Sequence, residues 1–356
     1  MSRLGRVDTD GLIDALVGAT SEEELQASSR WARAKLPALL AEGTAPAAII
    51  ALDADLVDAV VRRALQLVFA RHPALSLDLF TWLSLGSNGR RETVPSSDVD
   101  AAVAFDDRVS TVEVAQYRLV FGEVIALLAD AGLRADTNGV NPSSSVFART
   151  NGRWRAAGQQ WLAAPLDHNG AMMTSLLVDA RPIHGDPGLP AVTRVFSDLR
   201  EHPATMRLLL EESLSKRARI RTVRDLLRRE DTFDVKQHAL LPLVNLARWA
   251  ALSAGSFVLP TVERLRTAGG TSMLPAARAA TLVEVFEVLQ GLRLGYQLRQ
   301  MERGERPSDL LERAELSSKE RSTIARAVRE IAAVQRRADN VALYAPAEEW
   351  TMPEGE

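Results

Sequence analysis

The rhythm of hydrophobic and polar positions changes twice along this chain. From about Thr9 to Arg71 apolar residues recur at helical spacing. Leu56, Val60, Ala64, Leu65 and Val68 form one face, and Ser21 followed by Glu24 has the spacing of a capping box. His72 and Pro73 end that helix. At Leu79 the period shifts. Leu79–Leu85 (LFTWLSL) is a short apolar run with aromatics, closed by Gly86, and predicts a buried strand. Val99–Phe105 (VDAAVAF) predicts a second strand, entered through Pro95–Ser96–Ser97. Ser110–Ala131 predicts a helix with a capping box at Ser110/Glu113 and a stop at Gly132. Leu133–Thr137 reads as a third strand, and Asn138–Gly158, with its Gly, Asn, Pro and Ser, as loop. Thr174–Ile183 (TSLLVDARPI) reads as a fourth strand, closed by Gly185–Asp186–Pro187–Gly188.

Past Leu189 the pattern is helical with short breaks. Leu282, Val285, Phe286, Leu289, Leu292 and Tyr296 form an apolar stripe. Ser317/Glu320 caps a last long helix carrying Ile324, Val328 and Ile331. The expected class is α+β: a small mixed-sheet αβ core flanked by an N-terminal helical segment and a C-terminal helical bundle. The expected boundaries are 1–75 for the helical segment, 76–190 for the core, 191–345 for the bundle and 346–356 for a tail.

Composition narrows the chemistry. The 356 residues are 46% hydrophobic and 25% charged, an ordinary globular balance. Forty-three basic against 46 acidic residues give a formal net charge of −3, so no global basic field points to nucleic acid. The absence of cysteine removes disulfides, thiolate metal sites, iron–sulfur clusters and cysteine nucleophiles. No apolar run is long enough to cross a bilayer, and Met1–Leu4 lead into no signal-peptide pattern. The expected setting is cytoplasmic, with no membrane partner. The five histidines, His72, His168, His184, His202 and His238, show no zinc-ligand spacing.

One stretch carries concentrated chemistry: Leu85-Gly86-Ser87-Asn88-Gly89-Arg90-Arg91-Glu92, then Ser97-Asp98-Val99-Asp100. Gly86 has no Cβ and lets backbone approach a ligand. Ser87 and the amides after it are expected at a helix start, where free N–H groups favour phosphate. Arg90 and Arg91 can add contacts to phosphate oxygens, or one of them can pair with Glu92. Asp98 and Asp100, two apart on one strand, share a face. Like charges so close call for a cation, and a pair of Mg²⁺ ions about 4 Å apart is the solution of phosphoryl-transfer enzymes.

Gly-Ser, ten intervening residues and Asp-Val-Asp resemble the signature of the DNA polymerase β-type nucleotidyltransferase superfamily. The longer string GSNGRRETVPSSDVDAAVAF is similar to a bacterial branch whose members often carry CBS and cyclic-nucleotide-binding domains ahead of the catalytic unit. That branch is related to the adenylyltransferases and uridylyltransferases that modify glutamine synthetase and its signalling protein. The resemblance runs from about Leu12 to Val341 and takes in VDARPIHGD, VKQHALLPLVNLARWAAL and LRLGYQLRQMERGERP.

The resemblance implies nucleoside-monophosphate transfer from an NTP, with two Mg²⁺ ions, to a hydroxyl, foremost that of a protein acceptor. Gly86, Ser87, Arg90, Arg91, Arg181 and Lys236 are the implied nucleotide-binding residues. Asp98, Asp100 and Asp179 are the implied catalytic metal ligands. Asp136 rivals Asp179, and Asp186 is a weaker candidate better suited to a turn. Asp179 and Arg181 are also expected to alternate onto one face of the fourth strand. The bundle after Leu189 is expected to select the acceptor.

The sequence departs from the family after Lys236, where Gln237, His238, Ala239 and Leu241 replace a glycine-rich turn and its arginine. Arg248 matches a recurring family arginine. Two other readings stay open: a nucleotide-sensing regulator without turnover, and a small-molecule nucleotidyltransferase of the aminoglycoside-modifying type. The first 75 residues are too short and helical for a CBS or cyclic-nucleotide module, so regulation is expected from a separate partner or a homo-oligomer. Arg217, Arg221, Arg224 and Arg228 form a basic stripe, read first as solvated or paired. Trp154 and Trp161 are read as packing residues, with base stacking as the lesser option.

Overall fold

The computed structural model describes residues 9–136, 139–186, 195–219, 232–344 and 349–350. The chain divides into two units. One takes the chain up to Gly158 together with Asp179–Arg194 and Leu298–Pro307; the other takes Gln159–Val178, Val195–Gln297 and Ser308–Glu356.

The first unit is built on a four-stranded mixed sheet of order β5-β3-β1-β6. Its strands are β1 (Phe80–Ser84), β3 (Ala101–Phe105), β5 (Ala148–Thr150) and β6 (Arg181–His184). β1 runs antiparallel to both β3 and β6, pairing Phe80 with Phe105 and Ser84 with both Ala101 and Arg181. β5 runs parallel to β3. Every residue of β1 and β3 is buried, as expected of central strands covered on both faces.

Helices α1 (Thr9–Val17), α2 (Glu22–Arg33) and α3 (Leu36–Ala41) pack on the long α4 (Pro46–Phe69), which also packs on α6 (Thr111–Asp130). Phe80 joins helices to sheet: its ring lies 5.4 Å from Phe69, 5.1 Å from Phe121 and 6.1 Å from Phe105. The Ser110/Glu113 capping box forms in full. Ser21 accepts the Glu24 amide as expected, while the Glu24 carboxylate takes the Thr20 amide.

The second unit is mainly helical. It holds the C-terminal part of α7 (Asn151–Ala163), α8 (Gly170–Leu177), α9 (Pro203–Ser215), α10 (Leu241–Ser253), α11 (Thr261–Ala268), most of α12 (Ala276–Glu302) and α13 (Ser318–Tyr344). Trp249 on α10 donates to the Met206 carbonyl at 3.0 Å and stacks edgewise on Trp350. Buried Arg293 holds Asp309 with two hydrogen bonds of 2.7 and 2.9 Å. The Ser317/Glu320 capping box forms. No helix among the described residues is long and apolar enough to cross a membrane.

The α+β class holds, and four local expectations need correction. The strand read at Val99–Phe105 breaks at Asp100: β2 (Asp98–Val99) pairs in parallel with β4 (Arg134–Ala135), apart from the main sheet. The span 138–158 is not all loop, since β5 and the start of α7 lie within it. The span Thr174–Ile183 is not one strand. Gly170, Met173, Thr174 and Leu177 are buried at i, i+3, i+4 and i+7, so helix α8 forms first and β6 begins only at Arg181. The apolar run Leu176–Val178 suits either element, and the upstream period decides it. Finally, the bundle contains a small antiparallel pair, β7 (Thr232–Asp234) with β8 (Leu310–Glu312).

Phe80 is fully buried amid these aromatics. Phe80→Ala is expected to cost about 3–5 kcal/mol, read as a shift in the urea denaturation midpoint followed by tryptophan fluorescence.

Candidate functional site

The ladder between β1 and β3 runs one step past β1, where the Leu85 amide donates to the Asp100 carbonyl at 3.0 Å. The chain then turns into a single helical turn, α5 (Gly86–Gly89). Two glycines make the turn possible. Gly86 has φ +55°, and a Cβ there would come within 2.7 Å of Asp100 Oδ2. The Asp100 carboxylate therefore sits over the glycine backbone. Gly89 is closed in too: a Cβ would collide with the Asp179 carbonyl and approach Ser84 O to 2.9 Å. Both positions demand glycine for steric reasons.

Burial singles out the same residues. Between Phe80 and Phe105 every residue is buried except Gly86, Ser87, Arg91, Ser97, Asp98 and Asp100, which are half-exposed. The amides of Gly86, Ser87 and Asn88 find no backbone acceptor among the described residues. An otherwise closed strand–turn–strand unit opens at a glycine, an arginine, two serines and two aspartates.

Asp98 and Asp100 flank the switch from β2 to β3. Asn88 donates to the Asp98 carbonyl at 3.2 Å, tying the α5 turn to β2. In the β2–β4 register Asp98 stands beside Arg134 and Val99 beside Ala135. Asp100 and Asp136 each follow directly on this strand pair. Asp136 accepts the Val140 amide at 2.6 Å, and the Val140 carbonyl accepts from the Ala101 amide. Asp186 is exposed, and its carbonyl accepts from Thr81 Oγ1. No group of three or more His, Asp or Glu side chains among the described residues is arranged to hold a metal ion.

The arginines of the motif are anchors. Arg90 is buried with Nη1 2.5 Å from Asp179 Oδ2 and Nε 2.7 Å from Glu92 Oε2. Burial opposes its charge, but the adjoining Asp179 and Glu92 carboxylates more than offset this and raise its pKa above the ordinary arginine value. Asp179 lies in the turn between α8 and β6, so it does not share a strand face with Arg181; it is 1% exposed. Arg91, at φ +59°, donates to Asp55 Oδ1 at 2.8 Å. Arg181 holds Asp58 through two hydrogen bonds of 2.7 and 2.9 Å, and also donates to the carbonyls of Asn88 and Gly89. Asp55 and Asp58 were not singled out in the sequence. Their signal was available: Asp53, Asp55 and Asp58 fall in the mainly apolar first half of α4, with Asp55 and Asp58 three apart, hence on one face and in need of cations.

Residues 32–168 match a family model described as "Putative nucleotidyltransferase DUF294", and residues 203–341 match one described as "Putative nucleotidyltransferase substrate binding domain". The two matches together cover more than three quarters of the chain. This chain belongs to a nucleotidyltransferase family. The nucleotidyltransferase match contains Gly86, Ser87, Asp98, Asp100 and Asp136, while Asp179 and Arg181 fall between the two matches. No curated protein matches the chain.

The second match begins at α9 and contains Lys236. Lys236 is half-buried and opens a widened π-type turn, Lys236–Leu240, that leads into α10. Asp234 Oδ1 caps that turn by accepting the Gln237 amide at 2.8 Å. Arg248 on α10 donates to Asn245 Oδ1. Arg217 pairs with Asp339 at 2.6 Å, whereas Arg221, Arg224 and Arg228 lie outside the described residues. Trp154 and Trp161 are buried, and Trp154 Nε1 donates to the Val103 carbonyl at 2.9 Å. Both are packing residues, as first read.

Two outcomes test this geometry. Gly86→Ala forces a left-handed alanine against Asp100, and is expected to leave the circular dichroism spectrum unchanged while weakening Mg²⁺-dependent NTP binding at least tenfold in titration calorimetry. Arg90→Met leaves the Asp179 and Glu92 carboxylates buried without their cation. An expected loss of about 3–5 kcal/mol is read from chemical denaturation.

Proposed function

We propose that this nucleotidyltransferase moves a nucleoside monophosphate from an NTP to a hydroxyl on a protein side chain, a Mg²⁺-dependent regulatory modification. The observation carrying the proposal is the opening of the buried Phe80–Phe105 unit at Gly86, Ser87, Asp98 and Asp100.

The residues fit a hard divalent cation. The donors are the half-exposed carboxylates of Asp98 and Asp100, and Gly86, lacking a Cβ, lets the Asp100 carboxylate lie against the turn. Asp98 and Asp100 would hold the ions, with Asp136 or Asp179 as the third carboxylate. Bound Mg²⁺ would supply neutralisation of the triphosphate and polarisation of its α-phosphate.

The chain's own groups do the rest. Gly86 makes room for the Asp100 carboxylate against the backbone, and the amides of Gly86–Asn88 offer donors to the polyphosphate oxygens. The acceptor oxygen bonds to the α-phosphorus as the bond from that phosphorus to the pyrophosphate oxygen breaks. The hydroxyl proton passes to a neighbouring carboxylate or to water. Arg90 fixes this geometry from below through Asp179 and Glu92, and Arg181 fixes it through the Asn88 and Gly89 carbonyls.

One observation favours a second reading, a regulator that binds NTP without turnover. Arg90, Arg91 and Arg181, each expected at phosphate, are all engaged by carboxylates. Pyrophosphate release separates the two. The transferase reading expects Mg²⁺-dependent release with cell lysate as the acceptor source and labelled protein bands from α-labelled ATP or UTP. Asp98→Asn/Asp100→Asn should reduce that release by roughly a hundredfold or more. NTP binding with no release would support the sensor, and labelled small molecules without labelled bands would point to a small-molecule acceptor.

A further inference from the structure

The C-terminal end of α6 borders a cavity of about 490 Å³ lined by Arg30, Arg33, Arg134 and Arg306. That volume lies in the range of small-molecule sites. Its walls also include Leu133, Met301 and Pro307, and no Asp or Glu among the described residues lines it. Four arginines therefore line one concave, partly apolar space.

Part of this charge has a structural use. Arg30 and Arg33, three apart on α2, donate from Nη1 to the carbonyls of Asp130 and Gly132 at 3.1 and 3.3 Å, where α6 leaves acceptors unspent. Arg33 Nε binds Asp53 Oδ1 at 3.1 Å, and Arg134 donates to the Ser96 carbonyl. Each guanidinium has five N–H donors, so these bonds leave most of them unused. Arg306 is exposed and makes no side-chain hydrogen bond or ion pair among the described residues. Asp53 is the one carboxylate partner these four have among the described residues. Helix capping explains Arg30 and Arg33; it does not explain Arg134 or Arg306 converging on the same space. Four like charges repel unless an anion joins them.

We propose that this cavity is a second anion-binding site, for a small phosphorylated molecule with an apolar body, of nucleoside monophosphate size. The arginines take the phosphate, with bidentate geometry open to each, and the apolar wall takes the body. The cavity shares no lining residue with Gly86, Ser87, Asp98 or Asp100, although Pro95, between them in sequence, is part of its wall. Arg134 begins β4, whose other end leads to Asp136, and its register partner is Asp98. Occupancy thus bears on the short strand pair that positions the motif aspartates. The site itself does not depend on the transfer reaction.

Titration calorimetry on the full chain, in EDTA and without Mg²⁺, tests it with AMP and inorganic phosphate as probes. AMP is expected to bind more tightly than inorganic phosphate, and Arg30→Gln/Arg306→Gln to weaken AMP at least tenfold. Asp98→Asn/Asp100→Asn is expected to bind AMP as the wild type does. Absence of AMP binding, equal affinity in the arginine double variant, or loss in the aspartate variant would each overturn the proposal. Equal affinity for AMP and inorganic phosphate would overturn the apolar part. If the double variant is unstable, Arg306→Gln alone carries the test, because that side chain supports no other residue; about a threefold loss is expected.

Discussion

A single buried cation organises the nucleotidyltransferase unit. Arg90 lies beneath the glycine–serine turn with Asp179 on one nitrogen and Glu92 on another. A guanidinium in that position is tolerable only with both carboxylates in place, and the carboxylates only with it. The arrangement joins two pieces of chain that are far apart in sequence: the turn after β1, which carries both Arg90 and Glu92, and the approach to β6, 89 positions on. Gly89 makes the closeness possible, since any side chain there would strike the Asp179 backbone.

A second pair of contacts repeats the logic from the helical side. Asp55 and Asp58 on α4 hold Arg91 and Arg181, and Arg181 continues to the carbonyls at the end of α5. The turn is therefore gripped from the sheet and from the helices. Charges usually assigned to ligand binding are here spent on rigidity. What remains half-open is acidic or small: Gly86, Ser87, Ser97, Asp98 and Asp100, with Arg91 at the edge. Electrostatically the opening suits a cation-bearing polyphosphate better than a bare anion. The arginine-lined cavity beside α6 has the opposite character.

The parts legible in the sequence were those whose signal is local. The β1 run ending at Gly86, the full capping boxes at Ser110/Glu113 and Ser317/Glu320, and the spacing from Gly86–Ser87 to Asp98–Asp100 all sit within a few residues of their cause. The failures have a common source. Val99–Phe105 reads as one short apolar strand, yet the chain leaves β4 and joins β1 at Asp100, a change of partner that the run of apolar residues does not encode. Leu176–Val178 fits helix or strand, and burial of Gly170, Met173, Thr174 and Leu177 along one face decided for helix.

The amino-acid order by itself determined which residues can do chemistry: a glycine without a Cβ, a serine, two aspartates, and arginines close by. It also determined the α+β class, because hydrophobic period is a property of neighbours. Which arginine meets which aspartate was decided only by the tertiary structure. Arg90 meets Asp179 across 89 positions and Arg181 meets Asp58 across 123. Pairing energy depends on distance and desolvation in space, and neither is written in the separation along the chain.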